Sequence, residues 1–154
     1  KKIKYFSGSL QNVFSRFQQA IKKFRPKKII RICADSPLID WRIIDKMIDI
    51  SNNNGFYDVI SNVKIRTFPK GQSVEILNPK IFNLKNNILS KDQKEHVTKY
   101  FYLNKKYKIK NIKNKIKYSK LNLSIDDYSD YIKISRLIKK LGMYKPWSKY
   151  VKEI

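Results

Sequence analysis

Lys28-Ile29-Ile30-Arg31-Ile32-Cys33, closed by Ala34-Asp35-Ser36-Pro37, is the stretch that decides the fold class. It is short, β-branched and bounded by Pro26 and Pro37, the pattern of a buried strand whose exit loop carries a carboxylate. Upstream, within residues 9–25, Val13, Phe17, Ala20, Ile21 and Phe24 recur at spacings of three and four, which predicts a helix with one apolar stripe, stopped by Pro26. Downstream, Asp40 is placed to cap a second helix with the stripe Ile44, Met47 and Ile48 and a stop at Asn54-Gly55. Strands are expected again at Tyr57–Ser61 and, after a loop with Pro69 and Gly71, at Ser73–Leu77. Ser90-Lys91-Asp92-Gln93 has capping-box spacing for a helix running to Leu103. Tyr107–Ile112 reads as a strand too Lys-rich to be buried on both faces, and Leu121–Ile125 alternates as a strand ending at Asp126-Asp127. The last helix carries Tyr131, Ile134, Ile138 and Leu141 and stops at Gly142. Strands alternating with helices predict an α/β fold, a mainly parallel sheet covered on both faces, with ligand sites at the carboxyl ends of its strands.

The 154 residues suit a single domain, with 143–154 as a tail that docks or frays. Hydrophobic residues at 42% are enough for a packed core. The net charge of +23, from 35 Lys+Arg against 12 Asp+Glu, attracts any polyanion. The excess is Lys rather than Arg, is spread along the whole chain and accompanies abundant Ile and Asn, as genome base composition would produce. With no zinc spacing and no RNA-recognition aromatic signature, a basic nucleic-acid-binding module is the weaker alternative. Cys33 is the only cysteine, read as a small buried filler, so no intramolecular disulfide forms and a reducing cytoplasm is expected. No apolar run is long enough for a membrane span. The chain opens on Lys1 rather than Met, which raises the expectation of a preceding segment.

Two acids stand out. Asp35 and Asp126 each follow an expected strand, so in a parallel sheet both carboxylates would face one crevice. A pair of that kind suits Mg²⁺, which usually takes one or two protein carboxylates and fills its shell with water and phosphate oxygens. By spacing alone the stronger alternative is that each acid merely caps the helix that follows it, a task for which Asp40 and Asp127 are themselves placed.

Six ordered blocks resemble one family. Gly8-Ser9, Asn12-Val13 and Arg16-Phe17 form the first; Arg31 to Asp40 the second; Ser61-Asn62 through Arg66-Thr67-Phe68-Pro69-Lys70-Gly71 the third; Val74-Glu75 the fourth. Glu95-His96-Val97-Thr98 and Leu123-Ser124-Ile125-Asp126 complete the set. Together they resemble the cytidylyltransferases of spore-coat polysaccharide biosynthesis, relatives of the acylneuraminate and ketodeoxyoctonate enzymes. The resemblance implies a nucleotide-diphospho-sugar transferase fold, GT-A-like and Rossmann-like, in three α/β/α layers. It also implies CTP and a sugar as substrates, a CMP-sugar and pyrophosphate as products, Asp35 and Asp126 as the catalytic Mg²⁺ ligands, and compatibility with a homodimer. Asn62, Arg66, Glu75 and His96 fall on the sugar side: Arg66 to pair a carboxylate or phosphate, Glu75 to bind hydroxyls, His96 to donate or accept a proton. Ala34-Asp35-Ser36 replaces the family's Gly-Asp-Cys, Ser73 replaces an acid often found before the Val-Glu pair, and Lys99 replaces a proline. Family members open with further strands and an Arg/Gly/Lys loop that grips CTP. A chain without them would leave backbone groups of Lys28–Cys33 unpaired and bind CTP weakly. A non-catalytic fragment that scaffolds a partner is therefore the other alternative.

Overall fold

Each expected apolar stripe finds a surface to cover in the computed structural model, which describes residues 3–53 and 55–154. Helix α1 (Val13–Phe24) starts where the Asn12 Oδ1 accepts the Ser15 N–H at 2.9 Å, and ends at Arg25, whose left-handed φ of 47° lets its N–H return to the Ile21 carbonyl. Its most buried residue is Phe14, next to the anticipated stripe, and Phe24 is 40% exposed. Helix α2 (Trp41–Asn53) begins as expected at Asp40, whose Oδ1 accepts the Arg42 N–H at 3.0 Å. Of its anticipated stop, Asn54 lies outside the described residues, and Gly55 has φ 65°.

Strands β1 (Ile29–Ile32), β2 (Val59–Ser61), β3 (Val74–Leu77) and β4 (Ile109–Asn111) form one sheet in the order β1-β3-β2-β4. β1, β2 and β4 share one direction, and β3 runs antiparallel between β1 and β2. The reversal follows from the connection: β2 and β3 are joined by a loop with no crossover helix, so the chain comes back alongside itself. Contrary to the reading of Lys28–Cys33 as fully buried, β1 is an edge strand. Ile30 and Ile32 are 43% and 41% exposed, because among the described residues nothing pairs with its outer side. β4 is the opposite edge, as its lysines required.

Helices cover both faces. On one, Phe14 packs with Val59, Leu77, Phe82, Val97 and Phe101; on the other, Ile43 and Met47 pack with Ile60, Val74, Ile76 and Ile112. The helix expected over 90–103 is two short ones, α3 (Lys91–Glu95) and α4 (Lys99–Leu103), broken at His96 so that Val97 turns into the first core. The capping box at Ser90 and Gln93 forms as anticipated. Leu121–Ile125 is not a strand of the sheet; Lys70 and Asn122 make a single isolated bridge, and Leu123 is buried instead against the last helices. These are α5 (Tyr128–Leu141), capped by Asp127, and α6 (Trp147–Tyr150). The tail docks: Tyr150 is fully buried with its hydroxyl donating to the Gly142 carbonyl, and the Trp147 N–H donates to Asp40 Oδ2 at 3.0 Å.

Candidate functional site

Three loops leave the carboxyl ends of β1, β2 and β4, and backbone bonds tie them to one another. The Ile125 N–H donates to the Asp35 carbonyl at 2.8 Å, which sets Asp126 one residue from the Asp35 backbone. The convergence of the two acids comes from this loop-to-loop bond, not from two parallel strands. The second loop is sewn to the third: Lys70 N–H donates to the Leu121 carbonyl and Leu123 N–H to the Lys70 carbonyl, each at 2.9 Å, and Tyr118 N–H to the Thr67 carbonyl at 2.7 Å. The fully buried Gln72 joins the second loop to the first, accepting the Asp40 N–H at 2.9 Å and donating to the Leu38 carbonyl at 2.8 Å.

Gly71 is where the loops touch most closely. It has φ 83°, and a Cβ there would lie 2.5 Å from the Leu123 carbonyl carbon and 2.7 Å from the Ser124 nitrogen. Both the left-handed backbone and the close approach demand glycine.

Asp35 and Asp126 are both exposed. Asp35 Oδ1 accepts from the Ser36 hydroxyl at 2.7 Å; Asp126 Oδ2 accepts from Lys70 Nζ at 2.7 Å and from Ser124 at 3.2 Å. The bond from Lys70 holds the Asp126 carboxyl below the usual carboxylate range, and the same contact raises the Lys70 ammonium. Among the described residues Asp35 Oδ2 and Asp126 Oδ1 have no hydrogen-bond partner, and these oxygens are donors of the hard type that Mg²⁺ selects. No group of three or more His, Cys, Asp or Glu able to hold a metal occurs among the described residues, so any divalent ion here would complete its shell with water or phosphate. The helix-cap alternative belongs to other acids: Asp127 Oδ1 accepts the Asp130 N–H at 2.9 Å, and Asp40 caps α2.

The remaining expected residues separate. Asn62 is 1% exposed and spans its own loop, donating to the Gln72 carbonyl at 2.6 Å and accepting the Val74 N–H at 2.9 Å. Arg66 is half-buried and donates to the Ser73 hydroxyl at 3.1 Å. His96 caps α3 at the surface, 3.6 Å from Asp92.

Glu75 faces inward, 1% exposed, and both its oxygens are engaged: one by Arg31 Nη1 at 2.5 Å, its cross-strand partner, the other by the Tyr102 hydroxyl. Tyr102 is also 2.7 Å from the Ser61 hydroxyl, and its backbone N–H donates to the Thr98 carbonyl at 3.2 Å, so the Glu95–Thr98 block lies one helical turn before this cluster. Burial first, and Glu75 second, push the Tyr102 phenol above its ordinary range, while Glu75 supports the charge of the partly desolvated Arg31 guanidinium. Arg31, Lys70, Gln72 and Tyr102 escaped the sequence reading. Arg31 was legible as the one cation inside the apolar run Ile29–Ile32; nothing local marks the other three.

The sequence model of the cytidylyltransferase family matches residues 2–143. The chain is 34% identical over 103 residues to an uncharacterized protein of Methanocaldococcus jannaschii, covering 66% of this chain and 41% of that one. It is 29% identical over 143 residues to the spore coat polysaccharide biosynthesis protein SpsF of Bacillus subtilis, covering 89% and 58%. A solved cytidylyltransferase from Leptospira borgpetersenii superposes with a TM-score of 0.88 at 29% identity, over 97% of this chain and 64% of that one. The chain thus spans about half the length of the curated relatives it matches. With the α/β architecture, the converging loops and the ordered sequence blocks in agreement, the chain belongs to the cytidylyltransferase family.

Proposed function

We propose that this protein serves CTP-dependent nucleotidyl transfer to a sugar of surface polysaccharide, giving a CMP-sugar and pyrophosphate. The observation that carries the reading is the Ile125-to-Asp35 backbone bond, which brings two carboxylates with open oxygens to the sheet end where α/β proteins bind ligands. A sugar oxygen attacks the α-phosphorus, the Pα–O bond to the β-phosphate breaks, and pyrophosphate leaves with the electron pair. Mg²⁺ held by Asp35 and Asp126 would supply neutralisation of the charge on the phosphate oxygens. Arg66, on the loop sewn to the Asp126 segment, offers a fork for an anionic group of either substrate. Glu75 acts through Arg31, holding its guanidinium in place.

A second reading rests on β1. Its outer edge is unpaired among the described residues and bears the exposed Ile30 and Ile32, which favours a sheet whose nucleotide grip depends on a further strand. The test measures pyrophosphate release from CTP with a panel of sugar acids, by residues 1–154 alone and fused behind the N-terminal segment of a relative. Release is expected from the fusion and lost in Asp35→Asn and Asp126→Asn; release that survives both substitutions sinks the catalytic reading. Micromolar binding of CTP with Mg²⁺ by residues 1–154 alone would remove the second one.

A further inference from the structure

The Lys70–Asp126 contact is an exposed ion pair, its side chains 55% and 45% accessible, set between loops whose backbones are bonded to one another. Exposed pairs are weak because two long side chains must be ordered to make them. Here the backbones carrying both residues are already fixed: the Lys70 N–H and carbonyl bond Leu121 and Leu123, Gly71 seats on the Leu123–Ser124 peptide, and the Ser124 hydroxyl holds the same Asp126 oxygen that Lys70 reaches. An ammonium is thereby placed 2.7 Å from one oxygen of Asp126, whose segment is bonded to the Asp35 backbone through Ile125. A divalent ion entering there, whether it takes the open Asp126 Oδ1 or displaces Lys70 from Oδ2, meets a positive charge within a few ångströms.

We propose that Lys70 is an internal competitor for the divalent-cation site, occupying Asp126 in the metal-free protein and keeping the affinity for a bare ion low. The proposal rests on the reading of Asp35 and Asp126 as metal ligands given above. A polyphosphate changes the balance, because its oxygens provide the displaced ammonium with a new partner of higher charge. Lys70 is accordingly a positioning residue that couples metal entry to the arrival of the nucleotide.

The experiment is Mn²⁺ binding to the full chain, followed by electron paramagnetic resonance at low ionic strength without nucleotide, so that catalysis plays no part. Lys70→Met should tighten Mn²⁺ binding roughly tenfold, the effect of removing one charge a few ångströms from a dication in a solvated site. Lys70→Arg should keep the weak wild-type affinity. Lys22→Met, which removes the same charge from the exposed last turn of α1, should change it less than twofold. Circular dichroism confirms folding of each variant. If Lys70→Met binds no tighter than wild type while Asp126→Asn abolishes binding, the competitor role is overturned and the metal site stands. If neither wild type nor Lys70→Met binds Mn²⁺, both the competitor role and the metal assignment fall.

Discussion

Gly71→Ala tests whether the three loops are joined as described. Alanine at φ 83° pays roughly 1–2 kcal/mol for the left-handed backbone. Its Cβ would lie 2.5 Å and 2.6 Å from the carbonyl carbon and oxygen of Leu123, where the obstacle is backbone on a buried residue rather than the end of a flexible side chain. Overpacking of that kind costs about 1–3 kcal/mol more, for a total near 3 kcal/mol. For a chain of this size, that lowers the melting temperature by roughly 6–12 °C. Gly55→Ala is the internal control: Gly55 has φ 65°, yet among the described residues nothing lies within 4 Å of the added carbon, so only the backbone cost of roughly 1–2 kcal/mol applies, a drop of about 2–8 °C centred well below that of Gly71→Ala. Thermal unfolding followed by circular dichroism separates the two. The seam should also open, freeing the backbone at the already exposed Lys70 and Lys120 for cleavage by trypsin before global unfolding. Equal melting temperatures for the two variants would show that Gly71 does not seat on Leu123, and the joining of the Arg66 loop to Asp126 would fail with it.

Glu75→Gln leaves the Arg31 guanidinium without its buried counter-charge and should lose about 3 kcal/mol in urea unfolding, whereas Tyr102→Phe, which removes one hydrogen bond to a charged group, should lose about 1.5–3 kcal/mol. Stability should fall in acid: the Asp126, Asp127 and Asp130 carboxyls are depressed, by Lys70, the Asp130 N–H and Lys133 respectively, so the unfolded chain binds more protons. Their contribution is present above about pH 4 and is lost as pH falls through the depressed values. Melting curves from pH 6 to 2.5 should show a shallower acid loss in Lys70→Met. Phe14→Ala, which empties the centre of the first core, should cost about 3–5 kcal/mol with no change in the Mn²⁺ affinity of the folded protein.

The sequence by itself located the four strands of the sheet and the helices α1, α2 and α5 in their order, and the caps at Asp40, Ser90 and Asp127, because these depend on periodicity and on hydrogen bonds between near neighbours. It also pointed to Asp35 and Asp126, though by way of a strand at Leu121–Ile125 that does not form. Tertiary structure alone decided that β1 is an edge, that β3 runs backwards and that the helix after Ser90 breaks at His96, since each depends on which surface the segment meets. It decided as well that Glu75 turns inward to Arg31 and Tyr102, and that Lys70 meets Asp126, partners 44, 27 and 56 residues apart. Local pattern carries no information about such pairs. They exist because packed loops bring distant charges together, and a buried carboxylate must be satisfied by whatever donors the fold delivers.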